Sequence, residues 1–215
     1  MKKTIAQMFR EDNLVNNDPL IKRWIKGAIF ILLFIIYIGE SPVLETISFK
    51  AVIYFLVLIA MMYLMKYFKI ELFSFKKLTA RDISIVIIFT VIVKVLDIIF
   101  VNFVSGTTLN QEHIEDDIQN ISILNAALFF ALLPAILEET VFRGLILRVM
   151  CRGRLFIGLI ISSLLFAYIH EYSNLIEFLP YLYSGLLFGI AYLLTRRIEV
   201  SILIHFLGNF TSLWF

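Results

Sequence analysis

The stretch Ala131–Arg148, ALLPAILEETVFRGLILR, decides how this chain is read. Two adjacent carboxylates, Glu138 and Glu139, and one guanidinium, Arg143, interrupt a run that is otherwise apolar and helical in pattern. A charged side chain inside a membrane-spanning helix is costly unless it is paired or faces a cavity, so it marks a functional site. Glu139 and Arg143 stand four apart with the acid on the N-terminal side, the favourable orientation for an ion pair on one helix face. Glu138 points about 100° away on the 3.6-residue period. The spacing therefore predicts a structural Glu139–Arg143 couple and leaves Glu138 free for chemistry. Pro134, four residues before Glu138, removes a backbone donor and loosens the preceding turn, which opens space beside the carboxylate. Taken alone, the stretch also fits a buried ion pair with a spare acid that only fixes helix packing.

Working outward, 60% of the 215 residues are hydrophobic and 21 are phenylalanine, with a mean hydropathy of +0.91. Ordinary soluble domains are about 45–50% apolar, so a soluble globular domain is excluded. A helix of about 20 residues crosses a hydrocarbon core of roughly 30 Å, and several segments reach or approach that length. The expected fold is all-α, a polytopic transmembrane helix bundle of about seven spans in one membrane domain. The net charge of +2 says little about partners, because the charges sort by membrane side. The single cysteine, Cys151, excludes an internal disulfide framework and a cysteine-based zinc site. Nothing resembles a nucleic-acid-binding module.

The first 23 residues are polar and basic and read as a cytoplasmic tail. The sequence IYIGESP after Ile35 does not fit a signal-peptide cleavage site. Spans are expected at about Trp24–Gly39 (extended towards Leu44), Ala51–Met65, Ile83–Val104, Ile121–Met150, Leu155 to beyond His170, Leu179–Leu194 and Val200–Phe215. Residues 24–120 thus hold N-terminal transmembrane helices without a recognised motif, and 121–215 the core that carries the motifs. Ser105–Asn120 reads as an acidic loop. Lys94 and Asp97, three apart in the third span, neutralise one another, with a substrate or proton route as the alternative. Gly185 and Gly189 form a small-xxx-small spacing that permits close helix contact. Lys and Arg crowd alternate loops, and the positive-inside rule then puts the N-terminus in the cytoplasm and the C-terminus outside.

Two more ionisable groups lie in the apolar C-terminal half, His170 in FAYIH and His205 in HFLGN. Phe166 and His170 are four apart, as are His205 and Asn209, so each pair shares a helix face. Each histidine taken singly also fits a hydrogen-bonded packing residue. At 1.5 Å per residue, Glu138 lies about 18 Å from Met150, His170 about 22 Å from Leu155, and Asn209 about 18 Å from Arg197. His205 lies roughly 12 Å from Arg197, so modest tilts bring all four groups to one depth. A carboxylate and an imidazole can hold and deprotonate a water that attacks a carbonyl. A second histidine and an amide can donate to the oxyanion that develops. The alternative for the same groups, with Glu138, His170 and His205 as the ligand candidates, is a divalent metal such as zinc with one position left to water. The HExxH pair of the usual zinc proteases is missing.

These residues give the chain a resemblance to the CPBP intramembrane protease family, which includes the CAAX prenyl endopeptidases and the Abi bacteriocin-immunity proteins. The family's EExxxR motif matches Glu138, Glu139 and Arg143; FxxxH matches Phe166 and His170; HxxxN matches His205 and Asn209. The match covers roughly Ile121–Phe215. The resemblance implies hydrolysis of peptide bonds in membrane-associated peptides or proteins. Glu138 and His170 would activate water, His205 and Asn209 would hold the oxyanion, and Glu139, Arg143 and Phe166 would support them. This scheme needs no metal. It also implies a multi-pass protein of the cell membrane, bacterial by its short Ile-, Phe- and Lys-rich character, with a role in bacteriocin self-immunity, peptide export or processing, or signalling. The expected partners are a peptide or protein substrate and the lipid bilayer, without nucleic acid. Two other readings compete. One is a non-enzymatic membrane adaptor or immunity protein that keeps the constellation for packing. The other is a small proton-coupled transporter using Glu138, His170 and His205 as a relay, although the repeats and broken helices usual there are not evident.

Overall fold

An apolar chain in lipid must satisfy its backbone groups internally, and helices do so within one segment. The computed structural model describes residues 8–9, 18–39, 49–74, 76–104, 106–119 and 121–213. Most of the N-terminal tail, the extension of the first span towards Leu44, and residues 214–215 of the last span lie outside the described residues. Among the described residues the chain is helical throughout, with α1 (Leu20–Gly39), α2 (Phe49–Tyr67), α3 (Ala80–Val104) and α4 (Leu109–Ile118). They are followed by α5 (Ile123–Met150), α6 (Leu155–Tyr168), α7 (Phe178–Thr195) and α8 (Ile198–Ser212). By length and composition α3, α5 and α7 can cross a membrane, while α6, α8 and Phe55–Tyr67 of α2 are shorter apolar helices. The outer face of α3 carries exposed Ile87, Val91, Val95 and Ile98, a surface suited to lipid. The fold is a helical membrane bundle.

The segment expected as an acidic loop is instead largely helical. Thr108 caps α4 by accepting a hydrogen bond from the Gln111 amide at 3.3 Å. Gln111 donates to Glu115 one turn on at 3.1 Å. No residue of α4 is buried, so its polarity disguises a helix as a loop. The tail also differs from a free polar arm at Met8 and Phe9. Met8 is buried, its carbonyl accepts from Arg196 at 2.6 Å, and the Phe9 ring meets Phe156 edge-on at 5.3 Å.

The helix α5 is not uniformly α. Residues Ala127–Leu132 and Thr140–Met150 wind as a wider π-helix, with i→i−5 bonds such as Leu133 N–H to Leu128 and Cys151 N–H to Ile146. The first π stretch ends just before Pro134, which has no N–H to continue the α ladder. π-turns of this kind accompany functional sites because they redirect side chains. The second begins immediately after Glu139, so the two carboxylates sit on the short α segment Leu133–Glu139 between the two widened stretches.

Tight connections then fold α5–α8 on one another. The α5–α6 turn uses Gly153 at φ +83°, a left-handed conformation that glycine adopts without strain. The α7–α8 turn uses Arg196 at φ 59°. Between α6 and α7, Gly185 is in close contact with the Ser163 backbone; a Cβ there would lie 3.1 Å from the Ser163 Cα. On the far side α3 closes the bundle. Lys94 Nζ donates to Ser212 Oγ of α8 at 2.7 Å, and Tyr183 of α7 donates to Asp97 Oδ1 at 2.6 Å. Lys94 and Asp97 also face each other at 3.5 Å.

Candidate active site

Adjacent residues on α5 present their carboxylates to different surroundings. Glu139 and Arg143 are both 0% exposed and paired at 2.9 Å. Glu139 also accepts from Ser201 Oγ at 2.5 Å and faces His205 Nδ1 at 3.0 Å. Arg143 donates to the Gly185 carbonyl at 2.7 Å, and its guanidinium lies 4.6 Å from the Phe166 ring centre and 5.4 Å from that of Phe188. Three donors on one carboxylate, with the cation held by a carbonyl and aromatic faces, make this a compensated buried charge pair. It ties α5 to α7 and α8.

Glu138 faces the other way, into a cavity of about 640 Å³ that Phe166, His170, Tyr181, His205 and Asn209 also line. Its Oε2 is buried and accepts no hydrogen bond from the described residues. His170 Nε2 lies 3.8 Å from it and His205 Nε2 4.0 Å. These distances exceed a direct hydrogen bond and suit a single water between the groups.

The tautomers follow from the partners. His170 Nδ1 lies 2.7 Å from the Phe166 carbonyl, an atom that only accepts, so Nδ1 carries hydrogen and Nε2 faces Glu138. The same holds for His205, whose Nδ1–H donates to the ionised Glu139. His170 was expected within a helical span; instead α6 ends at Tyr168 and His170 occupies the turn beyond it. There its ring caps one of the last carbonyls of α6. The Tyr181 ring stacks on it at 4.1 Å and 18°. The His205 ring stacks on Phe188 at 4.7 Å and 21°.

The sequence-predicted residues Glu138, His170, His205 and Asn209 thus share one cavity, and Glu139, Arg143 and Phe166 hold its wall. The histidine–glutamate connection is more intimate than the spacing indicated, because His205 reaches both carboxylates. Sequence reasoning missed Ser201, Tyr181, Phe188 and the Gly185 carbonyl. Ser201 lies four residues before His205 on α8 and repeats the spacing that flags the other pairs; the Gly185 signal was read only as helix packing.

The metal reading was tested on the donor set. Ligands at about 2.0–2.1 Å around a tetrahedral zinc stand about 3.4 Å apart, whereas the two nitrogens lie 3.8 and 4.0 Å from Glu138 Oε2. Among the described residues no group of three or more His, Cys, Asp or Glu side chains is arranged to hold a metal ion. As placed, Glu138, His170 and His205 stand wider apart than zinc ligands do, and the chemistry below is written with their side chains alone.

A half-buried carboxylate between two oriented imidazoles, opening on a cavity in a membrane helix bundle, has the parts of an intramembrane hydrolase. Residues 120–211 match the family model described as type II CAAX prenyl endopeptidase Rce1-like. This segment, somewhat under half of the chain, is similar to the CPBP/CAAX proteases, which are membrane proteases. No curated protein and no solved structure matches the chain. It is an integral membrane protein with an intramembrane endopeptidase domain.

Proposed function

We propose that Glu138 and His170 activate water for peptide-bond hydrolysis and that His205 and Asn209 hold the resulting oxyanion. The observation that carries this reading is the Glu138 Oε2 atom, buried without a hydrogen bond from the described residues and flanked by two Nε2 atoms at 3.8 and 4.0 Å. A water held between Glu138 and His170 Nε2 gives its proton to Glu138 as its oxygen attacks the scissile carbonyl carbon. The tetrahedral oxyanion then takes hydrogen bonds from the Asn209 amide and from His205 Nε2–H. Donation through Nε2 requires the doubly protonated ring, whose Nδ1–H donates to Glu139. Collapse breaks the C–N bond. The leaving amine takes the proton from Glu138, and a carboxylic acid and an amine leave.

The substrate class we propose is a peptide or protein segment at the membrane. A CAAX prenyl substrate, after the wording of the family description, is one such substrate, and a bacteriocin-immunity or peptide-processing role is another setting for the same chemistry. We further propose a seven-span, multi-pass protein of a bacterial plasma membrane with a cytoplasmic N-terminus. Residues 1–23 would form its tail, 24–120 its substrate-selecting helices and 121–215 its catalytic core.

The test is cleavage of a broad membrane-peptide library by purified wild type and by Glu138→Gln, each with and without chelator. Cleavage lost in the variant and indifferent to chelator supports the reading. Cleavage lost with chelator in the wild type moves the chemistry to a metal. Cleavage by the variant at wild-type rate removes Glu138 from the reaction.

A further inference from the structure

The base side of this site rests on a residue with little helix to hold it. His170 lies two residues beyond the end of α6, where the backbone no longer has a full set of helical bonds. Its Nδ1–H is bonded to the carbonyl of Phe166, which leaves rotation about that single bond. What fixes the plane of the ring is Tyr181, stacked at 4.1 Å and 18°, with Phe166 tilted against it at 4.8 Å. Tyr181 comes from the first turn of α7, a rigid span. Its own position is in turn tied outside the span, because its hydroxyl shares a 2.6 Å hydrogen bond with Thr108 Oγ1.

Thr108 is also the cap of α4, taking the Gln111 amide at 3.3 Å. Helix α4 borders the cavity: Gln111, Ile114 and Glu115 line it together with Tyr181 and His170. Gln111 also donates to the Ser212 carbonyl of α8 at 3.1 Å, so α4 bridges from the α7 side of the cavity to the end of α8. A continuous path therefore runs from the cap of this bordering helix, through one hydroxyl–hydroxyl bond and one ring stack, to the imidazole that faces Glu138.

We infer that Tyr181 is a positioning residue that holds His170 in register with Glu138, and that Thr108 sets Tyr181 and so couples the seating of α4 to the competence of the base. The inference rests on the proposed role of His170. Tyr181 forms no bond in the reaction; it acts through the plane of the neighbouring ring. Displacing that ring by about 1 Å is enough to lower turnover on the order of a hundredfold.

The test uses the full chain in detergent with three variants, Tyr181→Leu, Tyr181→Phe and Thr108→Val. Leucine removes the stack, phenylalanine keeps it and removes the hydroxyl bond, and valine removes that bond from the other side together with the α4 cap. The expected kcat falls on the order of 10- to 100-fold for Tyr181→Leu, with KM changed less than about threefold. Smaller falls are expected for Tyr181→Phe and for Thr108→Val, which also removes the α4 cap, and the double variant should fall short of the product of the two single effects, because one shared bond is counted in both. A second readout is independent of cleavage. The chain has three histidines, and their ring signals in histidine-labelled protein can be assigned by single His→Gln substitutions. The His170 signal and its titration midpoint should move in all three variants while the His205 signal stays. An unmoved His170 signal in Tyr181→Phe and Thr108→Val overturns the inference, and so does a rise in KM at unchanged kcat, which would make Tyr181 a substrate contact. If Glu138→Gln cleaves normally, the function proposed above fails, but the ring-signal test of His170 stands. If Tyr181→Leu does not fold, the other two variants decide.

Discussion

Replacing Arg143 with methionine isolates the energetic centre of the bundle. The methionine keeps most of the apolar volume of the stem and deletes the guanidinium. Three consequences follow from the structure. Glu139, fully buried, loses its 2.9 Å cation and keeps only Ser201 and His205 as donors. The Gly185 carbonyl loses the donor at 2.7 Å. The faces of Phe166 and Phe188 lose the cation lying 4.6 and 5.4 Å from their centres. Breaking a buried pair by removing one partner costs about 3–5 kcal/mol, because a buried charge is left uncompensated. Restoring neutrality in the double variant Arg143→Met with Glu139→Gln should return part of that loss. The two substitutions should be non-additive by about 1–3 kcal/mol, as expected for groups in direct contact. The assay is reversible unfolding in mixed micelles across a denaturing-detergent titration, with wild type, both single variants and the double. A loss below about 1 kcal/mol for Arg143→Met, the range of an exposed ion pair, would refute the reasoning. Strict additivity would refute it equally.

Two further outcomes follow. Gly185→Ala should destabilise more than Gly189→Ala: at Gly185 the added carbon meets the Ser163 backbone at 3.1–3.2 Å, whereas at Gly189 it meets the movable tip of Leu159. Unfolding midpoints of the two variants check the order, and the reverse order would contradict the α6–α7 contact. Glu177, just before α7, joins the α6–α7 connection to the start of α4, and donation from the Ser173 hydroxyl, the Leu109 amide and the Ser173 amide holds its carboxyl below the ordinary value of 4.5. A depressed value means that this contribution is complete above the ordinary value and is lost as pH falls through the depressed one. Amide exchange at Leu109 and Ser173, corrected for intrinsic rates, should therefore accelerate below pH 4.5. In Glu177→Gln that pH dependence should vanish.

What was legible in the sequence was local. Glu139 and Arg143 are one helical turn apart, so their pairing is a property of a single segment, and an acid next to a basic partner in an apolar run is conspicuous. The helical bundle was legible for a similar reason, since long apolar segments have few other solutions in lipid. The π-helical stretches of α5 were not legible, because widening by one residue per turn leaves no repeating pattern; Pro134 marked only the place. Helix α4 was hidden by its polarity, since a short helix with no buried face lacks the apolar stripe by which helices are read. Ser201 and Tyr181 were missed because their importance is tertiary. A serine and a tyrosine in apolar helices are ordinary until the fold sets one against Glu139 and the other against His170. His205 was read as a donor paired with Asn209; that it also grips Glu139 through Nδ1 depends on the register between α5 and α8, which spacing within α8 does not contain.

The central claim is that Glu138 delivers water to a peptide carbonyl, and isotopic water tests it directly. Wild type and Glu138→Gln, matched for folded protein by unfolding midpoint, are incubated in heavy-oxygen water with a cleavable membrane peptide, and the new C-terminal carboxyl group is weighed by mass spectrometry. The wild-type product should carry one solvent oxygen, and Glu138→Gln should yield no labelled product above background. Labelled product from Glu138→Gln at the wild-type rate would contradict the account.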